Sequence, residues 1–354
     1  METTVSTRIP IGILGATGTV GQRFVQLLAD HPWFEVASLA ASERSAGRPY
    51  ADVCNWIMPG DPPPGVGEMI VSPLEPSLPA RIVFSALPAA IAREVEPLFA
   101  HDGYVVCSNA SAWRYEPNVP LIIPEVNADH LALIEQQRAG EDWPGLIVTS
   151  PNCTTTGMVI PLKPLDQAFG LQKVFATTLQ AISGAGYPGI ASLDILGNVV
   201  PYVGGEEEKM VRETRLLLGR VVEDCRSEAD VVVSAHANRV QVLDGHTICL
   251  SLGFERRPTA EEAIAVLTDF RGPAGVRDLP SAPEHPILVR LEPSRPQPRR
   301  DCGAEGGMAV TVGRVRECPL LDLRLVTVSH NTLRGAAGGS ILNAELLVAK
   351  GYVV

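Results

Sequence analysis

The feature that most constrains this chain is a glycine-rich turn set between a strand and a helix. Arg8 to Leu14 reads as a short buried strand that runs directly into Gly15-Ala16-Thr17-Gly18-Thr19-Val20-Gly21. Gln22 to Ala29 follows with apolar residues at helical spacing, and Phe34 to Ala40 reads as a second strand. In such a β–turn–α–β unit a glycine motif points to a dinucleotide. Gly15 and Gly18 let the backbone approach a pyrophosphate, whose charge is favoured at a helix N-terminus, and Gly21 allows close helix–strand packing. Thr17, Thr19 and Val20 belong to the same candidate contact. A plain connecting turn is the alternative.

The end of the second strand bears on which dinucleotide. An NAD site usually carries an acid there to hold the ribose 2′-hydroxyl. Here Ser42-Glu43-Arg44-Ser45 offers a guanidinium flanked by hydroxyls, which suits a 2′-phosphate. Ser42, Arg44 and Ser45 are therefore read as NADP contacts, while Glu43 keeps an NAD reading open. Arg81 to Ala86 is a further strand, and a doubly wound sheet presents ligand contacts beyond such strand ends, here Ser85 and Leu87. Tyr104 to Cys107, Pro120 to Ile123 and Leu146 to Thr149 are expected to complete the sheet.

The chain has 354 residues, which predicts two domains. Its net charge of −11 provides no overall field for nucleic acid or an anionic membrane, so any anionic ligand needs a few placed cations. The seven cysteines are scattered without CxxC spacing, which suggests neither a disulfide framework nor a metal site. The polar start, Met1 to Arg8, lacks the apolar core of a leader, and no apolar run is long enough to span a membrane. A cytoplasmic location is the expectation.

Ser150-Pro151-Asn152-Cys153-Thr154-Thr155-Thr156-Gly157 follows the last strand of the first domain. Such a turn can aim backbone N–H groups, and a helix N-terminus, at the sulfur and so lower the thiol pKa. Taken alone, Cys153 is equally a small packing residue. Downstream, Val174 to Ile182 reads as a strand ending in a glycine-rich loop, Ser183 to Gly189. Gly204 to Lys209 leads into a helix reaching Leu218. Val231 to Ala235, Arg239 to Val242, Thr247 to Phe254, Met308 to Arg316 and Leu321 to Ser329 are further strands, with a helix from Thr259 to Phe270. Glu292 to Asp301 reads as a solvated loop, and Ala336 to Lys350 as a helix returning to the first domain. The expected fold is α/β: a Rossmann-like domain over 1–152, completed by a C-terminal helix over 331–354, plus an α+β catalytic and dimerisation domain with a mixed or antiparallel sheet over 153–330.

Gly15–Gly21, Ser42–Gly47, Ser108–Arg114, Pro151–Gly157, Gln180–Gly189, Gly204–Lys209, Arg239–His246 and His330–Gly339 together resemble aspartate-semialdehyde dehydrogenase, in its archaeal and fungal-type branch. The resemblance implies NADPH-dependent reduction of L-aspartyl 4-phosphate to the 4-semialdehyde, in lysine, threonine and methionine biosynthesis. A thiolate suits that chemistry, because it exchanges the phosphate and leaves a thioester that accepts hydride. The resemblance makes Cys153 the nucleophile, His246 the acid/base, and the Gln180 amide an oxyanion donor. Arg239 takes the α-carboxylate and Glu206 the α-ammonium, while Lys209, Arg114 and Asn109 take the phosphate. Ser183, Gly184 and Asn331 join the cofactor contacts. The partners implied are a small substrate, inorganic phosphate and further copies of the chain, as a homodimer or homotetramer, with no metal.

Thr154 stands where many relatives have serine, and Gln241 replaces a common proline. The competing readings are a malonyl-CoA-type acyl-CoA reductase, N-acetyl-glutamyl-phosphate reductase, and a non-catalytic NADP sensor.

Overall fold

The computed structural model describes residues 8–223 and 225–353. The polar start at 1–7 and the end of the last expected helix at 354 lie outside the described residues.

Two sheets organise the chain. The first comprises β1 (Ile9–Leu14), β2 (Phe34–Ala40), β3 (Ile82–Ser85), β4 (Val105–Ser108) and β5 (Leu146–Thr149), all parallel, in the order β2-β1-β3-β4-β5. β3, β4 and β5 are buried at every residue, as expected where helices cover both faces. The strand order reverses at β1, which opens a crevice beyond the carboxyl ends of β1 and β3. The glycine turn lies at that point, and the helix Thr19–Leu28 starts from it. The closing helix, Gly338–Ala349, packs Ile341, Leu342, Leu346 and Leu347 into one core with Ile11, Phe24 and Phe84.

Pro120 to Ile123 does not form the strand read from its sequence, and only a single bridge joins Leu121 to Thr149. The Asn127 side chain takes the hydrogen bonds a strand would need, accepting from the Ile123 N–H and donating to the Leu121 carbonyl.

The second sheet contains β6 (Leu171–Gln180), β9 (Val232–Arg239), β10 (His246–Phe254), β11 (Ile287–Arg290), β12 (Val310–Glu317) and β13 (Leu323–Ser329). A small hairpin, β7 (Arg220–Val222) with β8 (Cys225–Ser227), stands apart from it. The order is β11-β12-β13-β10-β6-β9, antiparallel through the middle and parallel at both outer pairs, so the sheet is mixed.

Three details differ from the sequence reading. One continuous strand, β9, replaces the two expected around Val231 and Arg239, and Gln241 lies beyond it in a turn. β11 was not expected. Glu292 to Asp301 is more than a solvated loop: Asp301 is buried and bound to Arg295 and to the Gln297 N–H, because a carboxylate out of water needs such partners. The helix Ala260–Asp269 carries the Thr259 cap in a full capping box with Glu262.

Candidate active site

The site forms where the helix Cys153–Phe169 starts from the end of the first sheet and packs along the second. Asn152 caps it: its Oδ1 accepts from the Thr154 N–H at 2.9 Å and the Thr155 N–H at 3.1 Å. Cys153 is thus the first helical residue. The buried π-helical turn Leu333–Ala337 packs directly against it, where a Cβ at Gly335 would lie 2.6 Å from the Cys153 Cβ. Arg334, in the same turn, is buried in a two-pronged ion pair with Glu125 at 2.7 and 2.6 Å.

Cys153 Sγ lies 3.3 Å from His246 Nε2. The opposite ring nitrogen, Nδ1, accepts from the Ala181 N–H at 3.0 Å. That bond requires a lone pair on Nδ1, so the neutral ring carries its proton on Nε2 and directs it at the sulfur. His246 is fully buried, and burial, helped by Arg239, lowers its pKa to about 3.

One expectation is overturned at the sulfur. The helix N-terminus is present, yet the Cys153 thiol is pushed up to about 12, first by burial and then by Glu206, with Arg114 and Arg239 only partly offsetting them. The pair therefore rests as thiol and neutral imidazole.

Arg239 ends β9 and is buried. Its Nη1 donates to the Ala181 carbonyl at 2.8 Å, while its Nε has no partner. Among the described residues no carboxylate lies within ion-pair distance of it. A buried guanidinium in that state is a ready anion site.

The helix Glu206–Leu218 supplies the acids. Glu206 is buried and accepts from Asn152 Nδ2 at 2.9 and 3.0 Å, from Gln180 Nε2 at 3.3 Å and from Lys209 Nζ at 3.3 Å. Gln180 is thereby oriented by Glu206, and Lys209 reaches the same carboxylate from a half-buried position. Arg114 is buried, its Nη1 on Glu213 Oε1 and its Nη2 on the Asn109 carbonyl, each at 2.8 Å. Asn109 Nδ2 reaches the Ser85 carbonyl at 3.5 Å.

Asn152 and Glu213 went unnoticed in the sequence. The first carries a signal, an asparagine just before a helical run. The second carries none, since a glutamate inside a charged helix normally reads as surface.

At the cofactor end, Gly15 adopts a left-handed φ of +79°, and a Cβ there would lie 2.9 Å from the Ala86 carbonyl oxygen. Gly21 packs on the Gly15 backbone with no space for a side chain. The Thr17 carbonyl accepts from Gln22 Nε2, and Gly18 forms the helix N-cap. Val20 packs on the first core. Thr19 Oγ1 accepts from the Tyr187 N–H at 3.1 Å, so the loop after β6 reaches across to this turn.

Ser42 and Arg44 line a cavity of about 410 Å³ with Ala41, Glu43, Pro73, Leu74 and Glu75. The Ser45 N–H closes the loop onto the Ser42 carbonyl. Ser85 and Leu87 are buried at the end of β3. Asn331 Oδ1 accepts from the Gly245 N–H at 3.0 Å and its Nδ2 donates to Ser183 Oγ at 2.8 Å, which ties the last connector to the His246 turn. Gly184 leaves no space either: a Cβ would lie 2.8 Å from Arg239 Nη1.

Residues 10–134 match the model of a semialdehyde dehydrogenase NAD-binding domain, and 162–334 match that family's dimerisation domain. An aspartate-semialdehyde dehydrogenase of Archaeoglobus fulgidus is 50% identical over 96% of this chain and 98% of its own. A malonyl CoA reductase (NADP) of Metallosphaera sedula is 41% identical over 96% of this chain and 97% of its own. The crystal structure of Candida albicans aspartate-semialdehyde dehydrogenase with NADP superposes with a TM-score of 0.91 at 41% identity, covering 98% of this chain and 100% of that one. The chain belongs to the aspartate-semialdehyde dehydrogenase family.

Proposed function

We propose that the chain reduces L-aspartyl 4-phosphate to L-aspartate 4-semialdehyde, reversibly, through a thioester on Cys153. The observation that carries this is the 3.3 Å Cys153–His246 pair beside a buried Arg239 that has no carboxylate partner among the described residues. That set combines a nucleophile, a hydrogen-bond donor and a carboxylate receptor in one place. Arg239 receives the α-carboxylate, and Glu206 the α-ammonium. Lys209 and Arg114 receive the phosphate, with Asn109 beside them.

The cofactor is NADP(H), which supplies the hydride. The residues present suit it: Gly15 and Gly21 allow close backbone packing that starts a helix N-terminus at the crevice, and the cavity beside Ser42 and Arg44 accommodates a 2′-phosphate. Ser45, Ser85, Leu87, Ser183, Gly184 and Asn331 complete the contacts.

In the acylation step Sγ forms a bond to the acyl carbon, the carbon–phosphate oxygen bond breaks, and the thiol proton leaves with phosphate. The Nε2–H of His246 steadies the thiolate as it forms. Hydride addition then leaves an oxyanion that the same Nε2–H and the Gln180 amide stabilise. Collapse expels the sulfur as a thiolate, which regains its proton from solvent, and releases the aldehyde.

The division into 1–152 with 331–354 and 153–330 places Cys153 at the junction of cofactor and substrate halves. Exposed Phe175, Leu179 and Val232 on the outer face of the second sheet support self-association as a homodimer or homotetramer. Seven unpaired cysteines accord with a reducing, cytoplasmic compartment, and no helix among the described residues is long and apolar enough to cross a membrane.

An acyl-CoA reductase is the second reading, favoured by the Metallosphaera relative. Glu206 with Lys209 supports the aspartyl substrate, because a malonyl group has no ammonium. Purified protein should oxidise aspartate semialdehyde with NADP⁺ only when phosphate or arsenate is present. Turnover of malonyl-CoA without any of the semialdehyde would reverse the assignment.

A further inference from the structure

Glu213 is fully buried, and each of its carboxylate oxygens is occupied. Oε1 accepts from Arg114 Nη1 at 2.8 Å and from the Tyr115 hydroxyl at 3.4 Å. Oε2 accepts from the Asn152 N–H at 2.6 Å, the residue just before the nucleophile. Glu213 also lies seven residues after Glu206 and four after Lys209, on one face of their helix. Resting on the reading above, we infer that Glu213 is a positioning residue that holds the phosphate-carrying Arg114 and the start of the Cys153 helix in one frame.

The residue type follows from the donors. A guanidinium N–H and a peptide N–H approach the two oxygens, so both must accept. A glutamine would turn an NH₂ toward one of them, losing a bond and stranding a buried donor. Glu213 is also the carboxylate that pairs Arg114 out of water. Without it the guanidinium keeps only the Asn109 carbonyl as an anchor, and its distance from the sulfur is no longer set. Arg212, stacked over the Tyr115 ring at 4.0 Å, braces the same segment from outside.

The test uses the full chain and reads phosphate at the site in two ways. Inorganic phosphate should protect Cys153 from iodoacetamide in the wild type, and the phosphate concentration giving half protection should rise about tenfold or more in Glu213→Gln, the scale of one charge-assisted hydrogen bond. In semialdehyde oxidation the KM for phosphate should rise by the same factor, while those for semialdehyde and NADP⁺ stay within about twofold. If Glu213→Gln does not fold, Glu213→Asp keeps the charge, retracts it, and should show the same selective shift.

A double variant with Arg114→Lys should be no worse than the Arg114 variant alone, because both changes break one unit. Unchanged phosphate protection, all three KM values rising together, or multiplicative losses in the double variant would each overturn the inference. Selective loss of protection in a protein that does not turn over the semialdehyde would leave Glu213 in its role and remove the proposed reaction.

Discussion

The glycine turn and the Cys153 site follow β1 and β5 at the carboxyl end of the same parallel sheet, yet they are built from opposite materials. The turn works by absence: Gly15 and Gly21 carry no side chain where backbone packs on backbone, so strand, turn and helix close together. The Cys153 site works by presence, with Glu206, Glu213, Arg114, Arg239 and His246 all buried. A site made of backbone tolerates any neighbour that does not fill it. A site made of buried charge depends on each partner, since removing one strands another.

Four changes probe that contrast, in descending size of expected effect. Cys153→Ser should lower kcat by about 10³ or more while leaving NADP⁺ binding intact, because it removes the covalent nucleophile. A near-normal rate would take Cys153 out of the mechanism. Arg239→Leu should lower kcat/KM for the semialdehyde by about 10² or more, on the scale of 2–5 kcal/mol for truncating one partner of a buried charge pair. A loss expressed in the KM for NADP⁺ would move Arg239 to the cofactor. Gly335→Ala drives a methyl into Cys153 and should cost about 10²-fold in kcat through misplacement alone, with both substrate KM values nearly unchanged. Arg44→Ala should raise the KM for NADP⁺ about tenfold and leave NAD⁺ unaffected, as expected for one charge-assisted contact. An unchanged KM for NADP⁺ would defeat the 2′-phosphate assignment.

The pH dependence sharpens the same comparison. With the thiol raised to about 12, alkylation of Cys153 in the free protein should rise about tenfold per pH unit across pH 6–9. With His246 lowered to about 3, its ring stays neutral over that range and adds no inflection near pH 6.5. A plateau above pH 7 would mean a stable thiolate, hence an ion pair that the present hydrogen bonds do not support.

What was legible in the sequence follows the same divide. The glycine turn, the parallel strands and the returning helix were readable because glycine spacing and apolar runs are local signals. Cys153 stands out by its turn, while His246, Gln180 and Arg239 were named through the resemblance, and the four do converge in space. The state of the sulfur was misread, because a helix N-terminus is a local feature while burial is collective. Asn152 announces itself as a cap, but its bond to Glu206 spans 54 residues. Glu213 was silent, because nothing in a run of helical glutamates tells which one faces inward. Pro120 to Ile123 looked like a strand by composition and was claimed instead by one asparagine side chain.

The central claim is that Cys153 carries the acyl group, and it is best tested by looking for that group directly. The protein would be mixed with aspartate semialdehyde and NADP⁺ in the absence of phosphate, quenched in acid, and analysed by mass spectrometry. A burst of NADPH stoichiometric with sites, and an aspartyl adduct mapped to the peptide containing Cys153, is the result predicted here. Steady turnover without phosphate, or an adduct on any other residue, would contradict it.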